Sequence, residues 1–174
     1  MYRLQTKAEL VTAPSLVATL EAFHKDKLTL RQRHVAVARL VSDYHFNNTY
    51  QYVISREDVH LSWIEAALAD LGGTPASVSE PTLPAPGRKP NFLPLIEEDA
   101  REAGSLVERW RPRLGDVGND RHRKMMQVVL GETLEQKRFF DQMVAGRDDL
   151  LGRRANGPGP VGTGNGVLPV RWIE

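Results

Sequence analysis

The stretch Tyr50-Gln-Tyr-Val-Ile-Ser-Arg-Glu57-Asp-Val-His60-Leu-Ser-Trp-Ile-Glu-Ala-Ala-Leu-Ala-Asp-Leu71 decides the reading of this chain. Tyr50, Ile54, Leu61, Ile64, Leu68 and Leu71 recur in steps that keep one face of an α-helix apolar. Glu57 falls inside that stripe, where a hydrophobe is expected. On the adjoining face His60 is the polar member of a second stripe that contains Val53, Ile64, Ala67 and Leu71. A carboxylate and an imidazole three residues apart therefore share one inward face. Burying an ionised carboxylate costs several kcal/mol unless a cation or a hydrogen-bonded partner compensates it. A metal ion is the obvious candidate for that partner, and the alternative is a buried structural pair bonded to Tyr or Arg from a neighbouring helix.

Outward from this stretch the helical pattern repeats. Pro14-Ser15 marks a helix start with Ser15 as its cap. Leu20, Phe23, Leu30, Val37, Val41 and Tyr44 continue one stripe with Lys27 and His34 as polar members, which predicts a first helix over about 15–45. Asn47-Asn48 is read as the turn, and the second helix stops at Gly72-Gly73 followed by Pro75. Residues 73 to 91 hold five prolines and no periodicity, a long crossover loop between helices 2 and 3. Phe92, Ile96, Ala103, Leu106 and Trp110 predict a third helix with Asp99 inside its stripe, ending at Pro112. A fourth helix is expected from about 121 to 145. Its core face is read as Met125, Val128, Val129, Phe139, Phe140 and Met143, with Glu132, Glu135 and Gln136 in the gaps. The fold class expected is all-α: an antiparallel four-helix bundle over residues 1–150. Residues 151–174 form a Gly/Pro-rich linker and a C-terminal peptide, Val167-Leu-Pro-Val-Arg-Trp-Ile-Glu174.

Composition narrows the function classes. Hydrophobic residues at 41% and charged residues at 26% are ordinary for a globular domain. A net charge of +1 gives no general attraction to nucleic acid or to an anionic membrane. The chain has no cysteine, which removes thiolate metal sites, iron–sulfur clusters and a thiol nucleophile. No run approaches the roughly 20 apolar residues of a membrane span, so a cytoplasmic protein is expected. No strand precedes a glycine-rich phosphate loop; Gly162 to Gly166 read as linker.

Hairpin geometry then suggests a site. A turn near 117 sets Glu132 opposite Glu102 and Glu135 opposite Asp99, and a turn near 47 sets His60 opposite His34. Glu57, His60, Asp99, Glu132, Glu135 and His34 are accordingly the expected metal-ligating residues of one layer. Oxygen and imidazole donors without sulfur suit iron, manganese or zinc. The alternative for each is structural: a buried pair for Glu57 and His60, a solvated face for Glu132 and Glu135, an acidic helix surface for Asp99, and a satisfied core histidine for His34.

Glu57-Asp-Val-His60-Leu-Ser-Trp-Ile-Glu followed by Leu71-Gly-Gly-Thr-Pro resembles the second helix of the ferritin-like superfamily, in the style of rubrerythrin and bacterioferritin. The resemblance covers roughly residues 15 to 145. It implies a non-haem di-metal centre of iron or manganese, bridged by carboxylates, that oxidises ferrous iron or reduces oxygen or peroxide. The chain departs from the pattern at several positions. The family's first-helix glutamate has no counterpart nearer than Glu21, and the stripe offers His34 instead. The second Glu-x-x-His is Glu132-Thr-Leu-Glu135, followed by Gln136, and Asp99 stands where the third helix usually supplies glutamate. Two functions are thus in view. One is a ferritin-like metalloprotein, and the other is a metal-free ferritin-like scaffold or cargo protein acting through its C-terminal peptide. A homodimer is expected. Residues 167–174 are read first as tucking onto the bundle surface or a neighbouring subunit, and in the sharper alternative as docking on a protein partner or a container shell.

Overall fold

In the computed structural model, residues 15–84 and 91–151 are described, and the linker and C-terminal peptide lie outside them. Four α-helices account for most of the described chain: α1 (Leu16–Ala38), α2 (Tyr44–Asp70), α3 (Leu93–Trp110) and α4 (Asp120–Val144). A short 3-10 helix, Arg111–Asp116, joins α3 to the loop before α4. No strand occurs among the described residues, and no helix there is long and apolar enough to cross a membrane.

Local chemistry explains the ends. Ser15 caps α1, its hydroxyl accepting from the Ala18 N–H at 3.2 Å. Asn119 does the same for α4, accepting from His122 N–H at 3.2 Å. Pro94 sits in the first turn of α3, where its missing N–H costs nothing. At the end of α2, Gly72 takes φ +71°. Gly73 follows because a Cβ there would lie 2.8 Å from Leu68 Cδ2 and 2.9 Å from Val17 Cγ1.

The first helix is shorter than its stripe predicts, and the break comes at 39–43 rather than at 47. Asn47, read from sequence as the turn, lies inside α2. Its Nδ2 donates to Ala38 O at 2.7 Å and to Val41 O at 3.3 Å, so it satisfies the freed carbonyls at the end of α1. Asp43 caps the new start, accepting from Phe46 N–H at 2.9 Å.

Helix α1 packs on α2 and α3 on α4, with lesser contacts of α1 on α3 and α2 on α4. The order around the core is therefore α1, α2, α4, α3, and the α1–α4 and α2–α3 pairs face each other across diagonals. Two apolar clusters fill the interior. One gathers Leu20, Phe23, Ile64, Leu68, Leu106 and Trp110 with Met126 and Val129. The other gathers Val37, Val41, Tyr50, Val53, Ile96, Phe140 and Met143. Between them lies a belt of buried polar residues: Lys27, His34, Glu57, His60, Asp99, Thr133 and Gln136.

Candidate functional site

The polar belt begins at Glu57, whose side chain is fully enclosed. Its two carboxylate oxygens have separate partners, both from α1. Lys27 Nζ donates to Oε1 at 2.7 Å, and His34 Nδ1 lies 2.8 Å from Oε2. Lys27 is as buried as Glu57. Its ammonium also reaches across the diagonal to α4, 3.3 Å from Thr133 Oγ1 and 3.3 Å from Gln136 Oε1. An ammonium has three N–H donors, and here three oxygens receive them. Thr133 spends its own proton on Val129 O at 2.8 Å, which leaves its lone pairs for the lysine.

Asp99 crosses the other diagonal. Tyr50 of α2 donates to its Oδ2, and Arg33 Nε of α1 donates to Oδ1 at 2.6 Å. Phe140 lies against both halves of the belt, 4.9 Å from the His34 ring and 5.1 Å from the Tyr50 ring, centroid to centroid. Nearer the surface, Glu132 of α4 is gripped by Arg56 of α2, at 2.7 Å to Oε1 and 2.8 Å to Oε2. His60 Nε2 completes this group at 2.8 Å from Oε2.

Electrostatics follows from this pairing. Burial would push the Glu57 carboxyl up, but attraction to His34 and Lys27 outweighs it and holds the group down at about 2. Asp99 goes the other way: burial dominates over His34, Tyr50 and Arg33, and its pKa is raised. Burial and the charge of Lys27 lower His60 despite its bond to Glu132. Glu132 is lowered because its bonds to Arg56 and His60 exceed the burial cost. The Tyr50 phenol is raised well above its ordinary range by burial and by the Asp99 charge.

The Glu57 value carries a pH prediction. A carboxyl held at about 2 when folded and near 4.5 when unfolded stabilises the fold above the unfolded value. That stability, about 3 kcal/mol, is lost as pH falls from 4.5 toward 2. Asp99, with its raised pKa, opposes part of this trend, since it favours the fold at low pH. Urea midpoints measured across that window are expected to fall with acid in the parent and to fall less steeply in Glu57→Gln. Equal slopes would show that Glu57 does not govern acid stability.

The expected ligands are thus distributed rather than gathered. His34 and Glu57 meet, and His60 and Glu132 meet, but Asp99 belongs to Arg33 and Tyr50. Glu135 stands at the surface, bonded to Arg138 at 2.7 Å. The reason lies in the rotation of α4. Its inward stripe is Met126, Val129, Leu130, Thr133, Gln136, Phe140 and Met143, so Thr133 and Gln136 take the places expected of Glu132 and Glu135. Val128, read as core, is 45% exposed. A carboxylate-bridged di-metal centre needs inward carboxylate lone pairs open to the ions. Both oxygens of Glu57, Asp99 and Glu132 are engaged by protein donors, so the residues do not fit that group. No cluster of three or more His, Asp or Glu able to hold a metal occurs among the described residues.

Arg33, Arg56, Thr133 and Gln136 carry no signal in the sequence that marks them as partners of these groups. Lys27 was visible as a cation inside an apolar stripe, and that was the available signal for it. No protein-family model matches the chain, and no match was found among curated proteins or solved structures.

Proposed function

We propose that this chain is a ferritin-like, antiparallel four-helix bundle that works as a metal-independent scaffold. In this reading the loop over 73–91 crosses over between α2 and α3, and residues 167–174 engage a protein partner. One observation carries it: each carboxylate in or beside the core is neutralised by a basic side chain from another helix. Lys27 serves Glu57 across α1–α2, Arg33 serves Asp99 across α1–α3, and Arg56 serves Glu132 across α2–α4. These pairs tie the bundle together where a metalloprotein would keep its donors open. Paired positions support the antiparallel arrangement, since 24 meets 65, 31 meets 58 and 34 meets 57. The crossover is supported by bonds along α1, with Thr74 on Glu21, Ala76 on His24 and Val78 on Gln32. Tyr52, Trp63 and Val128 expose apolar surface on the α2 and α4 side, the face on which a second copy would pair.

Two measurements test the reading. Elemental analysis after growth with iron and manganese should find neither metal bound through Glu57 and His60. A bound pair of iron or manganese ions per chain, lost in Glu57→Ala/His60→Ala while the helices persist, would overturn it in favour of a di-metal protein. Deleting residues 155–174 should abolish association with a co-purifying partner and leave helicity unchanged. Collapse of helicity on deletion would make the tail part of the fold instead.

A further inference from the structure

The surroundings of Lys27 have the composition of a cation-binding site. Three oxygens from two helices converge on its Nζ: a carboxylate oxygen of Glu57, the hydroxyl of Thr133 and the carboxamide oxygen of Gln136. All three side chains are essentially closed to solvent, as is the lysine itself. Hard oxygen donors of this kind are what magnesium, calcium and manganese ions select. Two imidazole nitrogens of the same buried belt, His34 Nε2 and His60 Nδ1, have no hydrogen-bond partner among the described residues. Manganese serves as the probe for such a site, because oxygen donors suit it and its unpaired electrons report on binding.

We infer that Lys27 is the tethered cation of a latent divalent-metal site formed by Glu57, Thr133 and Gln136, which the protein holds closed by occupying it with its own ammonium. This rests on the metal-independent reading of the bundle and adds a specific reason for it. The lysine enters from α1, and its buried stem carries the ammonium to the three oxygens. While the ammonium stays, it occupies the position facing Glu57 Oε1, Thr133 Oγ1 and Gln136 Oε1 that a competing cation would need. Removing the ammonium leaves the Glu57 charge to His34 alone and frees the position facing its Oε1, and a small cation of higher charge is then the natural replacement. The arrangement is anchored from both sides, because His34 fixes the second oxygen of Glu57 and Val129 O fixes the Thr133 hydroxyl.

The test uses Mn2+ alone as probe, on the full-length protein and on Lys27→Met, which keeps stem volume and removes the charge. Mn2+ binding is followed by calorimetry and by electron paramagnetic resonance, with thermal unfolding as an independent readout. Lys27→Met is expected to bind one Mn2+ per chain at least roughly tenfold more tightly than the parent and to gain thermal stability from it. Adding Glu57→Gln to Lys27→Met should remove both effects. A folded Lys27→Met that gains no Mn2+ affinity would overturn the inference while leaving the metal-independent scaffold intact. Parent protein that itself binds Mn2+ through Glu57 would overturn both. If Lys27→Met fails to fold, Lys27→Gln is the second variant, refolded with and without Mn2+. Folding restored by Mn2+ supports the latent site, and failure of both variants in either condition overturns it.

Discussion

Replacing Lys27 by methionine is expected to lower stability by about 3–5 kcal/mol, the cost of removing one partner of a buried, hydrogen-bonded charge. The number is large because nothing else in the belt can take over. Glu57 is enclosed, His34 already occupies its other oxygen, and Arg33 and Arg56 are committed to Asp99 and Glu132. Total stabilities of domains this size are about 5–15 kcal/mol, so the variant sits close to the unfolding threshold. Combining Lys27→Met with Glu57→Gln removes both charges together, and the pair should cost much less than the two single changes added. Urea unfolding of the parent, both single variants and the double variant closes the cycle. A Lys27→Met penalty below about 1 kcal/mol would place the ammonium in the class of solvent-screened surface pairs and sink the account given for the belt.

Trp110→Ala should cost a similar amount, about 3–5 kcal/mol, by a different route. Trp110 is 1% exposed and ends α3 within the larger apolar cluster. Its ring meets Phe23 edge-on at 5.0 Å and 67°, and Arg113 lies over it at 4.9 Å from the centroid. Its Nε1 donates to Asp26 Oδ2 at 2.8 Å, which ties α3 to α1. Truncation loses the buried area, leaves a cavity between α1 and α3, and strands the Asp26 oxygen with Arg109 alone. Trp110→Phe keeps most of the volume and forfeits the hydrogen bond, so about 1 kcal/mol is expected from it. Thermal or urea unfolding of the two variants separates packing from polarity. Equal losses in both would assign the effect to the Asp26 bond and not to the cavity.

Much of this molecule is legible in the sequence alone. The stripe through Tyr50, Leu61, Ile64 and Leu68, the cap at Ser15 and the stop at Gly72-Gly73 each report local preferences within a turn or two of chain. The burial of Glu57, His60 and Asp99 was legible for the same reason, since each interrupts an apolar period. Asn47 was misplaced because its role is tertiary: the side chain that signals a turn also caps the carbonyls of the preceding helix. The rotation of α4 was not legible either. Glu132 and Glu135 fit one inward stripe, Thr133 and Gln136 fit the next, and the two differ by less than a third of a turn.

What the chain determines by itself is which elements form and which polar residues must be buried, because helical period and capping act over neighbouring residues. What only the tertiary structure decided is how those buried charges are compensated. Lys27 lies 30 positions from Glu57, 106 from Thr133 and 109 from Gln136. Hydrogen bonds across such separations depend on axial offset and helix rotation to within an ångström, and no periodicity encodes those. The ammonium that compensates the Glu57 carboxylate is placed there, by the diagonal reach of one lysine.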